Sequence, residues 1–173
     1  MGRHNYLIDG GSCTGKTAVC AELQRRGIDA VNGDTVLAYQ GDPVTGEPLS
    51  TPYRGRRPSH WNHLWDLDAF MRLVSNHAAP ATYFCGSARN LDKIREYFDA
   101  VLVLQIDADT LSARLDSRPT NEFGGCVDER ELIMCLHSSD RTPAGGAITI
   151  NATSPLSMVV DQILSLTEPL SRR

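Results

Sequence analysis

The sequence predicts an α/β protein, a three-layer α/β/α sandwich built on a parallel sheet. Three observations lead there. Strand-like and helix-like segments alternate along the chain, the pattern of strands joined by right-handed helical crossovers. The run Asp99-Ala100-Val101-Leu102-Val103-Leu104-Gln105-Ile106-Asp107 is almost continuously apolar, as a central parallel strand covered on both faces should be. Gly10-Gly11-Ser12-Cys13-Thr14-Gly15-Lys16-Thr17 fits G-x-x-x-x-G-K-[ST] between a strand and a helix. With 173 residues, 41% hydrophobic and 22% charged, one domain over 1–173 with a substantial core is expected.

Asn5-Tyr6-Leu7-Ile8-Asp9 reads as the first buried strand, and a helix follows from about Lys16 to Arg26, stopped by Gly27. Between them the glycines let the backbone wrap closely, so that N–H groups from Gly10, Gly11, Ser12, Cys13, Thr14 and Gly15 can point at phosphate oxygens. The helix N-terminus adds the positive end of its dipole. Lys16 is suited to the β- and γ-phosphates and the Thr17 hydroxyl to Mg²⁺. An ordinary glycine-rich turn is the competing reading, and Gly15, Lys16 and Thr17 in their required slots weigh against it. Cys13 fits as a small residue supplying a backbone N–H, with a reactive thiol as the alternative.

Ile28-Asp29-Ala30-Val31 is the next strand, and Asn32-Gly33-Asp34-Thr35 a turn leading into a helix from Val36 to Gln40. Residues just past the carboxyl ends of strands face the ligand crevice of such sheets. Asp34 is therefore a candidate to take a proton from an attacking hydroxyl or to anchor Mg²⁺ through water, against the plainer role of helix N-cap. Positions 41–58 hold Pro43, Gly46, Pro48, Pro52, Gly55 and Pro58, which excludes a long regular element. Long ordered loops are often lids or binding loops. Arg54, Arg56 and Arg57 suit an anionic ligand or simply form a solvated basic turn. Ser59 is expected to cap a helix from His60 to about His77, with Trp61 and Trp65 four apart on one face, either as core or as the wall of a pocket. His60 and His63 lack further metal-ligating neighbours and read as polar surface or pocket groups.

Ala81-Thr82-Tyr83-Phe84-Cys85 is a third strand, ending at Gly86 where many phosphate-loop enzymes place an acid. Arg89 follows at the mouth of the crevice, as a substrate anchor or an exposed residue before a short helix over Leu91–Phe98. After the strand at 99–107, Asp107 and Asp109 begin a helix that carries Arg114 and Arg118 on one face. Pro119 to Gly125 then reads as a mobile loop with glycine hinges. Arginines at its base can stabilise a transferring phosphoryl group, or can pair with Asp116 or Glu122. A helix over about 128–138, with Arg141 beyond it, a strand over 147–150 and a closing helix over about 156–166 complete the chain. Asn151 and Thr153, after the last strand, offer polar atoms to an adenine base, or simply help cap the closing helix.

A net charge of −4 argues against a nucleic-acid partner. Five cysteines without C-x-x-C spacing fit reduced thiols. No leader-like segment and no membrane-length apolar run is seen, so a cytoplasmic location and no membrane partner are expected. Internal repeats are absent.

On the phosphate loop and this order of elements, the chain resembles the small P-loop kinases of the nucleoside-monophosphate-kinase-like group, which includes the shikimate, gluconate and dephospho-coenzyme A kinases. The resemblance implies a five-stranded parallel sheet ordered 2-3-1-4-5, ATP as phosphoryl donor and Mg²⁺. It places Asp34 opposite the acceptor hydroxyl, Gly86 to Arg89 on substrate, Arg114 to Arg118 at the start of a lid and Asn151 to Thr153 at adenine. An acceptor-binding insertion over about 41–79, including Arg54 and Arg57, and a short lid over about 118–127 go with it. The expected activity is phosphoryl transfer from ATP to a hydroxyl or phosphate of a small molecule. The alternative is a nucleotide-binding regulatory ATPase or switch. No N-K-x-D guanine motif is present, which favours ATP over GTP. A homodimer is compatible with the sequence.

Overall fold

The computed structural model describes residues 2–49, 60–138 and 146–168. Five strands form the main sheet: β1 (Gly2–Gly10), β2 (Ala30–Asn32), β5 (Ala79–Cys85), β6 (Ala100–Gln105) and β7 (Ile148–Asn151). They lie side by side as β2-β5-β1-β6-β7, all parallel. Numbered in chain order within this sheet, that is 2-3-1-4-5, the expected arrangement. β1 is central, with Leu7 opposite Phe84 on one side and Val101 on the other.

Side chains alternate across these strands, and each face builds its own core. Tyr6, Ile8, Leu102 and Leu104 pack beneath α1 (Lys16–Arg25), α4 (Ala108–Asp116), α5 (Val127–Ser138) and α6 (Leu156–Thr167), meeting Val19, Leu23, Leu111, Ile133 and Val160. Leu7, Phe84 and Val101 look the other way, towards Phe70, Ile94, Phe98 and Trp65. Layers of helix, sheet and helix result, as the apolar patterning implied. Two tyrosines tie the sheet to the final helix: Tyr6 donates to the Thr167 carbonyl at 3.1 Å, and the Tyr83 and Thr167 hydroxyls lie 2.6 Å apart.

Two sequence expectations are corrected on the second face. Instead of a helix over Val36–Gln40, a single turn, α2 (Gly33–Val36), leads into β3 (Ala38–Gln40). The helix expected over His60–His77 is likewise divided. A 3₁₀ turn spans His60–Asn62, β4 follows at His63–Trp65, and α3 begins at Leu67 and ends at Val74. The cause is pairing between distant segments. Ala38, Tyr39 and Gln40 lie antiparallel to Trp65, Leu64 and His63, and that ladder overrides local helix propensity. Asp66 then restarts the helix, its side chain accepting from the Ala69 N–H at 2.8 Å. Two smaller differences accompany these. The segment after Asn90 is 3₁₀ over Leu91–Tyr97, and α4 stops at Asp116, so Arg118 lies just beyond the helix rather than on it. Among the described residues no helix is long and apolar enough to cross a membrane.

Candidate active site

The phosphate loop joins β1 to α1 across the C-terminal edge of the sheet. Gly10 approaches the neighbouring strand so closely that a Cβ there would lie 2.8 Å from the Leu104 carbonyl oxygen and from Thr14 Oγ1. Gly15 sits at φ 104° as it enters the helix, and Cys13 adopts φ 65°, a conformation uncommon outside glycine. The turn is closed from within, Thr14 Oγ1 donating to the Gly11 carbonyl at 2.9 Å. Lys16 Nζ donates to the carbonyls of Gly10 at 2.8 Å and Gly11 at 3.0 Å, so the ammonium group lies over the loop. Thr17, in the first turn of α1, is exposed.

Arg114 and Arg118 both reach this loop. Arg114 Nη1 donates to the carbonyls of Cys13 and Thr14, each at 3.0 Å, and its Nη2 to the Ala152 carbonyl at 2.9 Å. It therefore fastens the phosphate loop to the turn after β7. Arg118 Nη1 stands 2.7 Å from Cys13 Sγ, and its Nε lies 3.3 Å from Glu122 Oε2. The expected pairing with Glu122 thus forms alongside the approach to the loop. In the turn after β7, Asn151 Oδ1 accepts from the Thr153 N–H at 3.0 Å, and Thr153 Oγ1 lies 3.3 Å from Asp107 Oδ2. Both residues are exposed at the rim.

Asp34 occupies the first turn after β2. Its Oδ1 accepts from the Ser87 N–H at 3.0 Å, from His63 Nε2 at 3.2 Å and, most distantly, from Trp65 Nε1 at 3.4 Å. Burial is the largest single influence on its pKa and pushes it up. The His63 hydrogen bond, the Lys16 charge and the Ser87 N–H together outweigh burial and hold the carboxyl below its ordinary value. Asp34 is thus ionised at neutral pH and within electrostatic reach of Lys16. Close approach here depends on glycine. A Cβ on Gly86 would stand 2.6 Å from both Asp34 Oδ1 and the Trp65 ring, and one on Gly33 would stand 2.2 Å from that ring.

His63 and Trp65, which the sequence offers as pocket groups but places on a helix, reach the Asp34 carboxylate from β4 instead. The available signal was Asp66, a good cap directly before an apolar period, which starts the helix at Leu67 and leaves 63–65 free to pair as a strand. Trp65 is fully buried, as a core residue would be, yet its indole N–H faces the site. Trp61, by contrast, is 51% exposed. The Arg89 guanidinium lies 5.0 Å above the Trp61 ring, and the Arg89 N–H donates to the His63 carbonyl at 2.9 Å. Arg89 is thereby held beside the Asp34 cluster. From the segment after α4, Phe123 stacks on His60 with ring centres 6.5 Å apart. Arg54, Arg56, Arg57, Ser59 and Arg141 lie outside the described residues.

The donor set fits Mg²⁺ bound mainly through ligand phosphates. A hydroxyl at Thr17 and a carboxylate at Asp34 are the few hard oxygens such an ion takes from protein. Among the described residues no cluster of three or more His, Cys, Asp or Glu is arranged to cage a metal by itself. A separate open cavity of about 630 Å³ lies behind β3 and β4, lined by Tyr39, Leu64, Asp66 and Lys93 among others, and contains neither Lys16 nor Asp34. The charged side chains of Lys16, Arg114 and Arg118 gather instead at the phosphate loop.

No protein-family model matches the sequence, and no curated protein does. Solved structures do match the fold. The chain is similar to a shikimate kinase from Bacteroides thetaiotaomicron, with TM-score 0.61, 13% identity and coverage of 95% of this chain and 98% of that one. It is similar to a sugar kinase from Janibacter sp. HTCC2649, with TM-score 0.54, 16% identity and coverage of 95% and 94%. A gluconokinase from Sinorhizobium meliloti 1021 gives TM-score 0.52, 19% identity and coverage of 98% and 94%. The fold is that of the small P-loop kinases.

Proposed function

We propose that this chain is a phosphotransferase that moves the γ-phosphoryl group of ATP to a hydroxyl group of a small molecule. The observation that carries the reading is Asp34, an ionised carboxylate held at the end of β2 within electrostatic reach of Lys16. A carboxylate there would repel an incoming phosphate but can accept the proton of a neutral hydroxyl, so an alcohol is favoured over a phosphate as acceptor. The kinases of similar fold, acting by their names on a sugar, gluconate or shikimate, support the same class.

In this reading the loop amides from Gly11 to Gly15 and the α1 N-terminus hold the β- and γ-phosphates, while Gly10, whose N–H is given to Asp9 Oδ1 at 2.7 Å, serves by its close approach. Lys16 leaves the Gly10 and Gly11 carbonyls to meet the charge that develops on the transferred group. Arg118 swings from Cys13 and Glu122 towards the same oxygens, while Arg114 keeps the loop in shape. Asn151 and Thr153 border the adenine. Thr17, and Asp34 through water, would hold Mg²⁺, which neutralises phosphate charge when bound. Arg89, with Arg54 and Arg57, orients the acceptor, whose binding segment is 41–79, and 118–127 closes over it. The competing switch reading has the missing acid after β5 in its favour, because that leaves water poorly activated. The Asp34 cluster speaks for an acceptor.

The test is ADP release from MgATP against a panel of sugars, polyols, hydroxy acids, nucleosides and nucleotides. One hydroxyl compound should stimulate turnover strongly. Asp34→Asn should remove that stimulation, by about 10²-fold or more, while calorimetry still shows MgATP binding. A flat response across the panel with slow basal hydrolysis would favour the switch.

A further inference from the structure

Three donors from two elements distant in sequence converge on one oxygen of Asp34. The Ser87 N–H comes from the turn after β5, and His63 Nε2 and Trp65 Nε1 from β4. Residues two apart on a strand point to the same face, so β4 presents both rings to the carboxylate at once. Among the described residues no hydrogen bond to Oδ2 is formed. The arrangement also uses space that only glycine leaves. The indole lies in a slot between Gly33 and Gly86, where a Cβ would meet it at 2.2 Å and 2.6 Å respectively. The ring is fully buried, and its strand is fixed by pairing with β3 and by the Asn90 side chain, which accepts from the Trp65 N–H at 3.0 Å and donates to the Trp65 carbonyl at 2.9 Å. Asn90 is itself buried.

We propose that His63 and Trp65 are positioning residues that clamp Asp34 through Oδ1, leaving Oδ2 as the oxygen that faces the acceptor hydroxyl. The proposal rests on the reading of Asp34 as the group that takes the acceptor's proton. Neither ring needs to touch substrate. A carboxylate with three donors on one oxygen cannot rotate freely about its Cβ–Cγ bond, and a proton acceptor held in line works better than one that samples many angles. The pairing of β3 with β4 thus sets the catalytic angle as well as the local fold.

Two experiments test the clamp. The first needs no acceptor. The protein has two tryptophans, so ¹⁵N-labelled full-length chain gives two indole N–H resonances, and Trp65→Phe identifies which is which. Asp34→Ala should shift the Trp65 resonance and leave that of Trp61 in place. An unmoved Trp65 resonance overturns the proposal. The second uses MgATP with the hydroxyl compound that stimulates ADP release most. His63→Leu should lower kcat by about tenfold or more, with KM for MgATP within about twofold. His63→Gln, which keeps a donor near the same place, should recover most of the loss, and a merely structural role for His63 would not give that rescue. If Asp34→Ala abolishes turnover while His63→Leu leaves kcat within about twofold, the clamp is wrong and the proton-acceptor reading stands. If Asp34→Ala keeps full turnover, both fall together.

Discussion

The two halves of the proposed site are built from different materials. The phosphate half is mostly backbone, a single run of eight residues from Gly10 to Thr17 closed by its own hydrogen bonds and lengthened by one helix. The acceptor half is mostly side chain, gathered from the turn after β2, β4, the turn after β5 and the segment beyond α4. A loop that binds through main-chain N–H groups needs glycines at fixed spacing and tolerates almost anything between them. A cluster that binds through side chains needs particular residues brought together by long-range packing. The first kind of site can be changed only at a few positions without loss. The second can be re-tuned residue by residue, which suits a fold that serves many acceptors.

Four measurements would break or sharpen this contrast. The largest effect should come from Lys16→Ala, which removes the charge over the loop and should cost about 10²–10³-fold in turnover, the scale of losing one donor to a developing oxyanion. ADP release by the folded variant is the measurement, and near-normal turnover would mean that the phosphate half does not work as described. Next is Gly33→Ala. Its Cβ would press on the Trp65 ring at 2.2 Å, so overpacking should lower stability by about 1–3 kcal/mol. The displaced ring should cut acceptor turnover, while MgATP binding measured by calorimetry stays intact. Equal damage to both would show that the halves are not separable.

A smaller effect is expected for Arg114→Lys. The charge remains, but an ammonium group cannot reproduce a fork that bonds three carbonyls, Cys13, Thr14 and Ala152, at once. Leaving one or two of these unpaired should cost about 1–2 kcal/mol, read by denaturant unfolding, with MgATP affinity falling alongside because the loop loosens. The mildest test is pH. Burial is the strongest influence on Asp34 and raises its pKa, but His63, Lys16 and the Ser87 N–H hold the folded value below the ordinary value of about 3.9. A group depressed on folding contributes stability above its unfolded pKa and loses it as pH falls through the folded value. The acid limb that Asp34 gives to kcat/KM should therefore lie below about pH 4. Removing His63 leaves burial less opposed, so the limb should move up in His63→Leu. A wild-type limb near pH 6 that His63→Leu does not shift would assign the titration to another group.

The same contrast decides what could be read from the sequence. The five main strands, their flanking helices and the phosphate loop follow from local signals: the apolar run at 100–105, Gly27 closing α1 at φ 76°, and Asp107 capping α4 through the Thr110 N–H at 2.7 Å. Asp34 was found because it sits one turn past the end of a strand. The region around it was misread, because β3 and β4 are three residues each and exist only by pairing with one another across more than twenty intervening positions. Neither has the length or alternation that would identify it alone. Trp61 and Trp65 looked equivalent as neighbours on a helix. The short strand between them sends one into the core beside Asp34 and leaves the other in solvent beneath Arg89.

The grip of Arg114 on Ala152, together with the bonds from Tyr6 and Tyr83 to Thr167, has a consequence for synthesis. The phosphate loop is synthesised well before Ala152 and Thr167. A nascent chain halted before β7 would carry the loop glycines and Arg114 and still lack the Ala152 carbonyl through which that arginine ties the loop to the turn after β7. The loop should therefore gain its tie to the far edge of the sheet only once β7 has emerged.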